Sequence, residues 1–512
     1  MDATVVSSPG KVLIAGGYLV LDRAYAGVVV STSSRFYTVV QSSTSSGDAL
    51  ITVRSPQFLA ATWRYSVKLE PSVLVEDLPT NTSKNKFVHL ALQNILALAC
   101  EIKGITHVWN ALSSAIDVCI VGDNDFYSQR AQVCVSLFTC FLALKWAVQL
   151  ETLGLPRTLA SLNQIPPFVS TGAPLSEVHK TGLGSSAALI TSLVSSLLLH
   201  LSIIPPSDLM ENESEGRQLV HNLSQFVHCL AQGKVGSGFD VSAAVFGSHI
   251  YTRFEPAVLQ RLLADDASRS QPLLPIIHPS NKAWNHHISN FQLPPFTRMM
   301  LADVDAGSDT PSLVGKVLKW RKEDGTTADA LWSSLDLLNQ SLAQTLIKLK
   351  DLYAKDAESY KNSLNFLSIS KATEWLARPR SSPVEQTIVL TFSEVHQISQ
   401  AIRGKMREMG TLSGVPIEPI EQTELLDLCV SQPGVIGGGV PGAGGYDALW
   451  LLVCDPGHSL SPHQQPVEVI ENVWSTYKKL DVSPLSAMES MAKGARIEQL
   501  DKIPGLRNAV SH

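Results

Sequence analysis

Several features that mark common protein classes are missing from this 512-residue sequence. It contains no Gly-x-x-x-x-Gly-Lys-Ser/Thr stretch, which excludes an ordinary P-loop nucleotide site. Its seven cysteines are scattered and show no paired metal-ligand spacing, a pattern typical of reduced thiols in a reducing compartment. The net charge is −6 and no long basic run occurs, so we expect neither nucleic acid nor an anionic membrane as a partner.

The chain also lacks an opening signal of charged and then apolar residues, so we expect a mature, cytosolic protein. It contains no internal repeat. Its length exceeds one typical core, which favours two domains. The stretch Leu262–Asn281 is rich in Asp, Ser and Pro and indicates a surface loop at the boundary, giving domains 1–285 and 286–512. The polar tail beyond Ser486 is expected to be peripheral.

One apolar run, residues 133–149, lies between polar segments. It is shorter than the ~20 residues that a membrane span needs, and Lys145 interrupts it. Without it, the polar residues on either side would join as one helix. The run is interpreted either as a retained intron in the gene model or as a buried helix, and sequencing of the spliced transcript would decide between them.

A glycine-rich turn at residues 180–188 leads directly into an apolar helical pattern. Backbone N–H groups of such a turn point at an anion, and the start of the helix adds a partial positive charge. A helix start capped by serines is the alternative. The residues that would contact a phosphate are Lys180, Gly182, Leu183, Gly184, Ser185, Ser186 and Ala187.

Two further glycine-punctuated segments stand near the ends of the chain. The first, residues 8–21, reads SPGKVLIAGGYLVL, and the second, residues 437–448, reads GGGVPGAGGYDA. With the central turn, they resemble the three motifs of the GHMP kinase superfamily, small-molecule kinases named for galactose, homoserine, mevalonate and phosphomevalonate. The surrounding sequence is most similar to the phosphomevalonate kinases of fungi, and the resemblance covers nearly the whole chain.

The resemblance implies an α+β fold, with two-layer α/β packing and the active site in a cleft between two domains. The N-terminal domain, 1–285, would bind ATP, and the C-terminal domain, 286–512, would be ferredoxin-like. Oligomeric state is not predicted. The reaction implied is transfer of a phosphoryl group from ATP to (R)-5-phosphomevalonate, giving (R)-5-diphosphomevalonate for isoprenoid and sterol synthesis. Within the superfamily, the main alternative is a mevalonate kinase, whose acceptor is an alcohol. The opening motif disfavours a galactokinase. A ligand-binding member without catalytic activity is a further alternative.

The same resemblance assigns roles to residues outside the central turn. Lys11 would be the cation aimed at the transferring phosphoryl group, although a surface lysine after a turn fits the local sequence. Asp240 would face the acceptor and mainly position Lys11 and the acceptor; an aspartate helix cap is the alternative. Substrate contacts are expected from Ser237, Gly238, Ser308, Thr310, Gly442 and Gly444, with helix capping equally compatible for Ser308 and Thr310.

A magnesium ion is expected beside the ATP phosphates, held by Ser185 or Ser186. Some relatives also use a glutamate about eleven residues before the active-site aspartate. Cys229, next to His228, stands at that place here, which leaves further protein ligation of the metal in doubt. Position 17, acidic in many relatives, is glycine in this chain.

Overall fold

The structure is a computed structural model that describes residues 3–46, 49–128, 150, 153–263, 272–304, 310–378, 380, 382–457 and 465–511. The apolar run 133–149 lies outside the described residues, so its two interpretations stay open. Within the described ranges, no helix combines the length and apolar character needed to cross a membrane.

Two β-sheets organise the described residues. The larger has the strand order β13-β1-β2-β6-β3-β4-β5, with β7 pairing to β2 and β8 pairing to β7. The smaller has the order β10-β11-β9-β12. The strands are β1 Thr4–Ala15, β2 Ala26–Ser46, β3 Leu50–Arg54, β4 Thr62–Lys68, β5 Leu74–Asp77, β6 Ser114–Gly122, β7 His249–Thr252, β8 His287–Asn290, β9 Thr297–Asp303, β10 Val435–Gly439, β11 Ala448–Cys454, β12 Ser483–Leu485 and β13 Arg496–Ile497.

Successive residues of a strand point to opposite faces of its sheet, so apolar residues on both faces need covering elements. In β1, Val6 and Val12 join the large core under the helices, whereas Val5 packs on the opposite face. The helices are α1 Lys86–Lys103, α2 Ile105–Leu112, α3 Leu159–Leu162, α4 Ser185–His200, α5 Glu215–Gln232, α6 Phe239–Phe246, α7 Ala257–Leu263, α8 Leu274–Ile277, α9 Thr310–Glu323, α10 Gly325–Lys355, α11 Ala357–Ser368, α12 Pro383–Ser413, α13 Ile420–Val430, α14 Pro466–Thr476 and α15 Leu506–Ser511.

The smaller sheet confirms the predicted ferredoxin-like arrangement. Its strands run β9, helices, β10, β11, helix, β12 along the chain, and every neighbouring pair is antiparallel. Alternate residues of β11 face opposite layers. Trp450 joins the core that contains residues of α10 and α12, and Leu451 joins the core that contains residues of α13 and α14.

The expectation of a peripheral C-terminal tail is wrong. Strand β13 pairs with β1 of the larger sheet, with Val6 opposite Ile497. Leu506 and Val510 are buried against the face of that sheet that the main helices leave uncovered. An apolar strand face needs cover, and the tail supplies it. The domain boundary at residue 285 stays a prediction. Strand β8, just beyond it, still pairs with β7 in the larger sheet.

Candidate active site

The central glycine turn forms the start of helix α4. Gly184 is the N-cap residue in the left-handed region, with φ +78°, and Gly182 has φ +77°. Glycine adopts this conformation without the steric cost that a Cβ imposes. The sixteen-residue helix then begins at Ser185, so its unpaired N–H groups face the turn. This arrangement provides backbone donors for an anion.

Lys11 lies directly beside that turn. Its backbone N–H donates to the carbonyl of Leu183 at 2.8 Å, and its amine donates to the carbonyl of Gly182 at 2.8 Å. Burial lowers the pKa of the Lys11 amine, while Asp240 and, more weakly, Asp447 act to raise it. The amine therefore contacts the glycine turn and is influenced by the charges of two carboxylates.

Gly184 also makes room for the Lys11 side chain, and this gives a prediction with an internal control. A Cβ at Gly184 would lie 3.0 Å from Lys11 Cε, whereas a Cβ at Gly182 would meet nothing within 4 Å. Both substitutions strain a left-handed residue by about 1–2 kcal/mol. We expect Gly184→Ala to lower kcat about tenfold more than Gly182→Ala, measured at saturating ATP and acceptor. Equal kcat values for the two variants would show that displacement of Lys11 is unimportant.

Asp240 lies in the first turn of α6, close enough to Lys11 for its charge to act on the amine. The N-cap residue of this helix is Gly238, with φ +81°, so the alternative of an aspartate N-cap is wrong. One Asp240 oxygen accepts from the N–H of Val241 at 2.9 Å, and the other lies 3.8 Å from Nε2 of His228. The carboxylate remains partly exposed, and its charge acts on the Lys11 amine.

The cleft itself has a volume of about 170 Å³. Five residues selected from the sequence motifs line it together: Lys11, Gly182, Ser237, Gly442 and Gly444. Residues of the first and third motifs, distant in sequence, thus share one cavity. The other residues that line it are Gly17, Tyr18, Val20, Leu21, Phe239, Val314, Pro441, Ala443, Asp447 and Ala448.

Close backbone packing holds the third motif against this cavity. The hydroxyl of Tyr18 donates to the carbonyl of Ala443 at 2.7 Å, which ties the third motif to the first. A Cβ at Gly444 would lie 2.1 Å from the carbonyl oxygen of Ile417, so no side chain fits there. The glycines of this motif set the shape of the cleft wall.

Two predicted substrate contacts fall at the edge of the described residues. Ser308 lies outside them, and for Thr310 the structure gives the backbone as the first residue of α9. Val314, one turn later in that helix, lines the cleft. The start of α9 is therefore near the cavity, and the roles of Ser308 and Thr310 stay predictions.

A second, more apolar pocket of about 60 Å³ adjoins the outer side of the glycine turn. Lys180, Ser185 and Ser186 lie at its rim, and burial lowers the pKa of the Lys180 amine. The sequence analysis did not find this pocket, because its aromatic residues come from four separate segments. They are Phe36, Phe58, Trp63, Phe87 and Tyr127.

His228 is a further polar residue at the site that the sequence analysis missed. Counting back from Asp240 selected Cys229, but Cys229 lies in the core, and burial raises the pKa of its thiol to about 11. The imidazole of His228 instead contacts the first turn of α4, with Nε2 3.0 Å from Oγ of Ser186. Burial lowers the pKa of His228, although Asp240 opposes this.

The predicted magnesium site can be compared with these donors. Among the described residues, no group of three His, Cys, Asp or Glu side chains is placed to hold a metal ion. The candidate oxygen ligands beside the turn are the hydroxyls of Ser185 and Ser186, and the Asp240 carboxylate lies 3.8 Å from His228, which contacts Ser186. Mg²⁺ prefers oxygen and keeps several waters, so this sparse set fits an ion held mainly by nucleotide phosphates.

Ala187, one of the predicted phosphate contacts, is buried within α4.

Comparison with known proteins gives close and extensive relatives, although no family profile matches the chain. An Arabidopsis thaliana protein named phosphomevalonate kinase, peroxisomal, is 37% identical over 475 residues, covering 88% of this chain and 90% of the relative. Phosphomevalonate kinases of Aspergillus fumigatus and Gibberella zeae are 36% and 35% identical; the latter match covers 98% of both chains.

Solved structures share the fold. A protein from Listeria innocua aligns with a TM-score of 0.59 at 15% identity, covering 97% of this chain and all of that one. Streptococcus pneumoniae phosphomevalonate kinase, in complex with phosphomevalonate and AMPPNP, aligns with a TM-score of 0.53 at 14% identity, with the same coverage. The predicted GHMP kinase fold is confirmed.

Proposed function

The chain belongs to the phosphomevalonate kinase family, and from that membership we propose that its cleft transfers the γ-phosphoryl group of ATP to the phosphate of (R)-5-phosphomevalonate. The family predicted from the three motifs is confirmed. One observation supports the proposed site above others: Lys11, the glycine turn and residues of the third motif line a single cavity, with Asp240 beside it.

ATP would bind with its phosphates at the start of α4. The N–H groups there carry partial positive charge, and Gly182 and Gly184 let the backbone approach an anion closely. The aromatic pocket at the rim of the same turn would take the adenine, because stacking on aromatic rings suits a flat base. This places the γ-phosphate at the inner end of the turn, next to Lys11.

Lys11 would make the meeting of two polyanions possible. At ~4 Å, two like unit charges repel by ~4 kcal/mol at an effective dielectric constant of 20. The Lys11 amine faces the cleft between the turn and the third motif, so it can offset this repulsion for both phosphates. Phosphoryl transfer depends mainly on such positioning and charge stabilisation.

Asp240 would orient Lys11 and the acceptor, with no requirement to remove a proton. A phosphate monoester has a second pKa near ~6, so its oxygen is largely ionised at neutral pH and can attack directly. The carboxylate favours the charged form of the Lys11 amine, which supports this role. An alcohol acceptor would instead need a base.

Mg²⁺ would be held by the hydroxyl of Ser185 or Ser186 together with phosphate oxygens and water. When bound, it would neutralise charge on the nucleotide phosphates. We also propose a cytosolic location, from the scattered cysteines of the sequence. The Arabidopsis relative, by contrast, is named as peroxisomal.

The proposed acceptor is tested by measuring ADP release with 5-phosphomevalonate and with mevalonate side by side. We expect turnover with 5-phosphomevalonate and at least 100-fold lower kcat/KM with mevalonate, because mevalonate lacks the ionised nucleophile. Preference for mevalonate would reassign the chain to alcohol phosphorylation. Turnover of neither acceptor would indicate a ligand-binding protein.

A further inference from the structure

A chain of polar contacts connects helices α4, α5 and α6 beside the glycine turn. Its centre is His228 on α5, which is 4% exposed. Nε2 of this ring lies 3.0 Å from Oγ of Ser186, 3.1 Å from Nε2 of Gln232 and 3.8 Å from a carboxylate oxygen of Asp240. One ring nitrogen therefore contacts the helix that carries the glycine turn and approaches the helix that carries Asp240.

The chemistry of these neighbours determines which way the hydrogen bonds run. The Gln232 amide nitrogen is a donor only, so it points a hydrogen at Nε2. Nε2 is then unprotonated, and its one lone pair is shared between two donors, the Gln232 N–H and the Ser186 hydroxyl. A hydroxyl has one hydrogen and two lone pairs, so donation toward His228 leaves both lone pairs of Ser186 available elsewhere.

We propose that His228 is a positioning residue for phosphoryl transfer, which accepts the Ser186 hydroxyl hydrogen and so leaves the lone pairs of the Ser186 oxygen directed to the metal ion that accompanies the nucleotide. This inference rests on the proposed function. It assigns a role to the neighbour of Cys229, the residue that stands where some relatives have a glutamate.

The surroundings of His228 make this orientation rigid. The ring packs near Phe87, with centroids 6.4 Å apart, and Phe87 also lines the aromatic pocket beside the turn. Ser186 and His228 both lie on long helices, so their backbones hold the two groups in register. A hydroxyl fixed in this way loses little rotational freedom when its oxygen binds a metal ion, so binding costs less entropy.

Two substitutions separate the hydrogen bond from simple packing. His228→Leu removes the acceptor, and we expect kcat/KM for ATP to fall at least tenfold, as for other groups that orient a ligand-binding side chain. His228→Gln can place an amide oxygen near the position of Nε2, and it should recover most of that loss. His200→Leu is the matched control: His200 is at the far end of α4, where it contacts Thr4 and Ser42.

The steady-state kinetics are measured with 5-phosphomevalonate, alongside the melting temperature of each variant. We expect His200→Leu to lower the melting temperature without changing kcat/KM for ATP. Wild-type kinetics in His228→Leu, or the same kinetic loss in His200→Leu, would overturn the inference. A failure of the proposed function is distinguishable, because the wild-type protein itself would then be inactive.

A spectroscopic measurement gives an independent readout without nucleotide or metal. In protein labelled with ¹⁵N-histidine, the inference predicts a His228 Nε2 resonance typical of an unprotonated nitrogen, assigned by its absence in His228→Gln. In Ser186→Ala that resonance should shift, since one donor is lost. A protonated Nε2, or a resonance unaffected by Ser186→Ala, would contradict the assigned hydrogen bond.

Discussion

Replacing Lys11 with methionine should lower kcat by about 10³-fold or more, with a smaller change in KM for ATP. A cation placed at the transferring phosphoryl group supplies an effect of this size, because it acts mainly where charge crowds in the transition state. Methionine keeps an unbranched side chain of similar length and removes the charge together with the hydrogen bond to the Gly182 carbonyl. The measurement is single-turnover ADP formation at saturating ATP and 5-phosphomevalonate.

The control for this variant is Lys348→Met, on the exposed surface of α10, where the lysine lies 3.9 Å from Glu394. It removes the same charge far from the cleft, so kcat should remain at the wild-type value. A loss of less than tenfold in Lys11→Met would contradict a central role for the ammonium group. An equal loss in both lysine variants would point to general destabilisation.

Asp240→Asn should lower kcat by about 100-fold at most, without a solvent deuterium isotope effect. The amide keeps the shape of the side chain but no longer favours the charged form of the Lys11 amine. Because the acceptor phosphate is already ionised, no proton moves in the rate-determining step. The kcat of wild type and variant is measured in H₂O and D₂O.

Asp447→Asn provides a graded comparison for this result. Asp447 also favours the charged Lys11 amine, but more weakly than Asp240 does, so its variant should show a smaller loss in kcat. A loss of five or more orders of magnitude in Asp240→Asn, together with a solvent isotope effect, would instead identify Asp240 as a general base. That outcome would fit an alcohol acceptor.

The parts of the site that the sequence predicted are those fixed by local backbone chemistry. Gly182 and Gly184 indicate a turn with left-handed residues, and the apolar repeat after them predicts the helix. The ferredoxin-like sheet of the C-terminal half is predicted from the family resemblance, and the observed strand order agrees with it. In these segments the local sequence and the tertiary structure agree.

The parts that sequence reasoning missed depend on contacts between distant segments. Cys229 and His228 are adjacent, and only the packing of α5 against α4 and α6 decides which of them faces Asp240. Asp447 lines the cleft, although the sequence analysis assigns it no role. The polar composition of the tail suggests a peripheral position. Its burial depends on a sheet face that the main helices leave uncovered, which the tail's own sequence does not show.

The most direct test of the central claim is a crystal structure with a nonhydrolysable ATP analogue, Mg²⁺ and 5-phosphomevalonate bound together. The account predicts the Lys11 amine within about 3 Å of an oxygen of the γ-phosphate and of an oxygen of the acceptor phosphate. It also predicts the triphosphate along the N–H groups at the start of α4. A complex in which Lys11 contacts neither phosphate, or in which the nucleotide lies away from that turn, would contradict it.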